Sequence, residues 1–178
     1  MLQRMIGAAR LDVNTYEEVE NDQNATTQAM LVVIIVSIAS GIAVLTTGGN
    51  FIVNFVVGIV LGLAGWAIWA YITFLVGTKI LNTPGTNASW GQLARTTAFA
   101  QTPGVLRVFG VIPYLGQLII LVSSIWMLVA MVIAVRQALD YESTMRAIGV
   151  VLIGAVIYFV LYAIIGALLY GLLAGTAG

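Results

Sequence analysis

The sequence predicts an all-α integral membrane protein: a five-helix transmembrane bundle with a short, Pro-broken third helix and a short N-terminal interfacial or cytoplasmic helical segment. Three observations carry this. Residues 23–78, 108–135 and 147–178 contain no Asp, Glu, Lys or Arg. Charged residues make up 8% of the chain, against about a quarter in soluble domains, so a water-facing surface cannot be built. Apolar runs such as Met30–Val36 and Leu118–Val122 do not alternate as barrel strands would. The chain reads as a single domain, 1–178, in which residues 1–26 form a polar or amphipathic lead-in.

At the start, Leu2, Met5, Ile6 and Ala9 fall on one helical face, the pattern of a short helix lying in the membrane interface. Residues 12–22 hold five of the seven acids. Thr15 and Glu18 have capping-box spacing, which predicts a polar helix from Thr15 that runs on into the first span. That span is expected over 27–45 and ends at Thr47-Gly48-Gly49-Asn50, a turn by composition. The second, over 51–78, is long for a hydrocarbon core of ~30 Å and should tilt or project. A loop with Asn82, Pro84, Gly85 and Asn87 follows, and Ser89 with Gln92 again has capping-box spacing. The fourth and fifth spans are expected over 114–135 and 147–173, with Ser143 as the cap of the last helix.

Segment 90–110 is the reluctant third span, interrupted by Arg95, Pro103 and Arg107. If it crosses and the N-terminus is cytoplasmic, Arg4, Arg10, Lys79, Arg95, Arg136 and Arg146 lie inside and only Arg107 outside. If it stays on the inner surface, Arg107 joins the inside set and Arg136 and Arg146 move outside. The positive-inside rule favours crossing. Arg95 and Arg107 are then expected to snorkel to opposite interfaces. This puts the chain in the cytoplasmic (inner) membrane as a multi-pass protein, N-terminus cytoplasmic and C-terminus outside. The N-terminal residues lack the apolar core of a secretory leader.

The chain has neither Cys nor His, which removes disulfides, thiolate or imidazole metal ligands and His-based catalytic sets. Zero net charge argues against a nucleic-acid partner. No cofactor, metal site or catalytic residue is expected, although lipids or pigments held between helices fit the composition. Acids are expected at the surface. Glu17, Glu18, Glu20 and Asp22 form a solvated face that could meet a partner; they do not match a calcium loop. Gly58, Gly62 and Gly65 on span two, and Gly171 and Gly175 at the end of span five, are small-residue faces for helix packing or a homo-oligomer interface. Asn54, Ser37, Ser40, Ser123 and Ser124 are the polar groups within spans, expected to bond locally or to line a polar path.

Several segments together resemble the Yip family, named for interaction with Rab-type GTPases, and specifically its compact bacterial relatives. They are Tyr16-Glu17-Glu18-Val19-Glu20 before the first span, Arg95 to Pro103 as a small-aromatic-then-proline element, and Ile125-Trp126 within span four. Val135-Arg136-Gln137-Ala138-Leu139 and Ser143 to Ile148 frame the last link. The resemblance implies five spans, a cytoplasmic N-terminus and a non-enzymatic role in membrane organisation or protein association. The Asp-Leu-Tyr-Gly-Pro-like motif of eukaryotic members is absent, so no Rab-binding residue carries over. The expected function is a membrane scaffold or adaptor with the bilayer and other membrane proteins as partners. The alternatives are an accessory subunit of a large energy-transducing or transport complex, and a small passive channel or carrier.

Overall fold

The computed structural model describes residues 1–43 and 51–176, with side chains undescribed at 51, 54 and 169–176. The Gly48-Gly49 turn lies outside the described residues, as do the side chain of Asn54 and the surroundings of Gly171 and Gly175. Two short helices open the chain, α1 (Leu2–Ala9) and α2 (Val13–Asn21). Then come α3 (Ala25–Ala43), α4 (Phe51–Leu75) with a π-helical extension Val76–Ile80, and α5 (Trp90–Phe99). A 3-10 helix over Thr102–Val111, α6 (Gly116–Ala138) and α7 (Thr144–Thr176) complete it. Among the described residues, four stretches are long and apolar enough to cross a membrane: Ala25–Ala43, Phe55–Ile80, Gly116–Ala138 and Thr144–Leu168.

The local rules of the sequence explain most boundaries and correct one. Asp12, not Thr15, caps α2: its carboxylate accepts from the N–H groups of Asn14 and Thr15 and from the Thr15 hydroxyl at 2.6 Å. Helix α2 then stops at Asn21 instead of continuing into α3. Ser89 and Gln92 form the expected capping box at α5. Leu11, Tyr114 and Asp140 take positive φ (63°, 66° and 52°) at the corners before α2, α6 and α7.

Segment 90–110 departs from expectation. It is two helices, and Pro103 sits in the first turn of the second, where its missing N–H costs nothing, instead of breaking a longer helix. Ten residues of 3-10 geometry is a long run, and the register explains it. At three residues per turn, Gly104, Arg107 and Gly110 stack on one face. A Cβ on Gly104 would meet Val36 at 2.7 Å and Met127 at 2.8 Å; one on Gly110 would meet Ala43 at 2.9 Å and Ile120 at 3.0 Å. Val36, Ser40 and Ala43 on α3, and Ile120, Ser124 and Met127 on α6, repeat at i, i+4, i+7. The 3-10 helix therefore lies in the groove between α3 and α6, parallel to the first and antiparallel to the second. With α5 it covers ~35 Å if collinear (~1.5 and ~2.0 Å per residue).

Burial divides the molecule into two ends. Around α5 the chain is packed like a soluble core: Leu93 through Ala100 are all buried, with Tyr16, Val19, Ala134, Leu139, Ala147 and Val150 around them. Toward the other end large apolar side chains face outward, such as Ile52 and Leu61 on α4, Leu118 and Leu121 on α6, and Val156 and Phe159 on α7. That outward belt is the lipid-facing surface.

Candidate functional site

The N-terminal residues do not trail from the bundle; they are latched to it. Each helix end here leaves carbonyls without helical partners, and side chains from elsewhere take them up. The Tyr16 hydroxyl donates to Ala8 O at 3.0 Å and the Trp126 indole N–H to Ala9 O at 2.8 Å, which satisfies the end of α1. At the end of α2, Arg95 Nε donates to Val19 O at 3.1 Å and its Nη2 to Glu20 O. A guanidinium at a helix C-terminus also meets the negative end of the helix dipole. Arg95 is thus buried by protein, 7% exposed, and is a clamp; it does not snorkel to an interface.

The acidic segment is likewise drawn inward. Arg4 pairs with Glu18 (2.7 Å) and Asp22 (2.8 Å). Glu18 and Asp22 raise the Arg4 pKa, and Arg4, with the Asn24 amide, lowers that of Asp22. Glu17 accepts from Gln137 at 3.0 Å. Glu20, expected at the surface, is 6% exposed and accepts from Gln92 at 2.9 Å. Burial pushes its carboxyl up to about 7; nearby Asp140 and Glu17 push the same way, while Gln92 and Arg95 oppose them. The face of Leu2, Met5, Ile6 and Ala9 is split: Met5 packs inward, while Leu2 and Ile6 stay exposed.

Beside the latch is a basin of about 520 Å³ whose carboxylates come from Glu17, Glu20, Asp140 and Glu142. Arg136, also on its wall, donates to the carbonyls of Tyr141 and Glu142 at 3.1 Å each and so holds the α6–α7 link. The Tyr141 hydroxyl lies 2.9 Å from Gly77 O and 2.7 Å from Leu81 O, tying that link to the end of α4. The basin is a concave, net-acidic surface suited to basic or hydrogen-bond-donating groups. Among the described residues no His, Cys, Asp or Glu cluster is arranged to hold a metal ion.

The glycines of α4 have separate neighbours. A Cβ on Gly62 would overlap the Ser37 hydroxyl, one on Gly65 would approach the Tyr158 hydroxyl at 2.7 Å, and one on Gly58 would meet nothing within 4 Å. Ser123 and Ser124 donate to Ile120 O, at 3.0 and 2.7 Å. Sequence reasoning missed Gln92, Gln137, Trp126 and Tyr141 as binding elements. The Ser89–Gln92 spacing marked Gln92 as a cap, but nothing local signals that its amide also reaches Glu20.

An all-α chain with apolar spanning helices, a clamped N-terminal helix pair and a polar basin at one end is a polytopic membrane protein. A family model described as the Yip1 domain matches residues 13–164. The chain belongs to the Yip family of membrane proteins, a family not known for enzymes. The match takes in α2 and Arg95, the two sides of the clamp, and leaves out α1. No curated protein and no solved structure shows significant similarity to the chain.

Proposed function

We propose that this protein is a non-catalytic scaffold of the cytoplasmic membrane, which binds other membrane proteins through the acidic basin beside its N-terminal latch. The supporting observation is the clamp. Arg95 closes on Val19 and Glu20, so two segments about 75 residues apart form one rigid surface. A scaffold needs such a preorganised surface, since ordering a loose tail on binding costs affinity.

The reading includes five crossings with the N-terminus cytoplasmic. The packing of Gly104 and Gly110 beside Val36 and Ala43 supports it, because α5 and the 3-10 helix then travel the length of α3. Gln137 reaches back to Glu17, and Arg146 to Asn82 O at 3.1 Å, so the α6–α7 link returns to the latch side. The compact bacterial branch fits the short N-terminal segment.

Isolation in a mild detergent tests this reading. A discrete complex of fixed stoichiometry that dissociates with Asp140→Lys and Glu142→Lys is expected. A free monomer, or a complex indifferent to both changes, would overturn it. Loss of the complex only with substitutions on the outer face of α7 would instead favour an accessory subunit docked through its spans.

A further inference from the structure

We propose that the cavity between α3, α4, the 3-10 helix and α6 is a binding site for a phosphate-bearing anion, with Arg107 as its principal ligand. The cavity holds about 360 Å³; its lining includes the polar side chains of Ser37, Ser40, Gln101 and Arg107, and Gly58 and Gly62 of α4. Arg107 Nη2 donates to Ser124 Oγ at 2.9 Å. That hydroxyl has already given its hydrogen to Ile120 O, so it offers a lone pair but no charge. Arg107 Nε is buried and has no acceptor among the described residues. Within those residues no hydrogen bond involves the side chains of Ser37, Ser40 or Gln101. Gly58 faces open space.

Charge balance points to the ligand. Six of the seven acids line or pair around the latch and its basin, and the seventh, Asp12, caps α2. None lines this cavity. A cation in the apolar half of a membrane protein costs about 2.5–3.5 kcal/mol on the insertion scale unless compensated. A guanidinium with free N–H groups matches the oxygens of a phosphate in a fork, and serine hydroxyls and a carboxamide supply further donors. Phosphodiester headgroups are anions that a bilayer itself supplies, and exposed Val53, Val56 and Val57 on α4 offer apolar surface for an acyl chain.

The test uses the full-length protein, delipidated in neutral detergent. Thermal unfolding is followed while phosphatidylglycerol, phosphatidylcholine or inorganic phosphate is added. Saturable stabilisation is expected for the wild type, weakened tenfold or more in apparent affinity by Arg107→Gln. Gly58→Leu, whose Cβ would meet nothing within 4 Å, adds bulk to the cavity wall and should weaken it equally; it guards against a folding defect in the arginine variant. Stabilisation by lipid alone identifies a headgroup, and stabilisation by inorganic phosphate alone identifies a soluble anion; both support phosphate recognition. No saturable response to any of the three, or a response in both variants as strong as that of the wild type, would overturn the proposal.

Discussion

At the residue scale, two side chains govern the latch. Arg95 is the cation that takes up the last carbonyls of α2, whose own last turn carries none. Arg95→Met would leave the Val19 and Glu20 carbonyls without donors in a buried setting. A loss of about 3 kcal/mol is expected, since charged hydrogen bonds contribute about 1.5–3 kcal/mol each. Faster proteolysis near residues 10–24 would report it. Glu20 makes the same latch pH-sensitive. Its folded pKa of about 7 exceeds the ordinary 4.5. Its favourable contribution is therefore complete below about pH 4.5 and is lost as pH rises through 7. On the order of 3 kcal/mol is at stake at ~1.4 kcal/mol per pKa unit. Protection of the N-terminal helices should fall between about pH 4.5 and 7, and Glu20→Gln should flatten that profile; an unchanged slope in the variant would place the titration elsewhere. Asp12 and Asp22 act in the opposite sense, because their pKa values are depressed: their contributions fade as pH falls into the acid range.

At the element scale, the 3-10 helix is the piece most dependent on small residues. Gly104 touches both neighbouring helices, so Gly104→Val should force α3 and α6 apart and cost about 1–3 kcal/mol, the usual range for overpacking. A lowered midpoint of thermal unfolding checks this. Gly58→Val, facing open space, should leave the midpoint unchanged. Which elements were legible in the sequence follows from what makes them. The apolar spans and the Ser89–Gln92 cap rest on composition and local spacing, so they were readable. The 3-10 run was not: Gly104, Arg107 and Gly110 line up at three residues per turn, while at 3.6 they drift round the helix by about 120°. The clamp was equally hidden, because Arg95 and Glu20 meet only after folding. A buried glutamate looks in sequence like its solvated neighbours Glu17 and Glu18.

At the scale of the whole molecule, the two ends do different work. The end around α5 is packed as tightly as a water-soluble core and presents the acidic basin. The other end presents apolar side chains to lipid and encloses the lone arginine of the proposed anion site. The short α5 and the stretched 3-10 helix join them, and the topology turns on this join. If it crosses, the N-terminal latch and the α6–α7 link share one side of the membrane while Tyr114, fully exposed at the corner before α6, faces the other.

The absence of cysteine from the chain makes a direct test available. Single substitutions Asn21→Cys, Tyr114→Cys and Glu142→Cys would be labelled in sealed, oriented membrane vesicles by a thiol reagent that cannot cross the bilayer. Five crossings predict that Asn21→Cys and Glu142→Cys label from the same side and Tyr114→Cys from the opposite one. Labelling of Tyr114→Cys from the side that reaches Asn21→Cys would contradict the account.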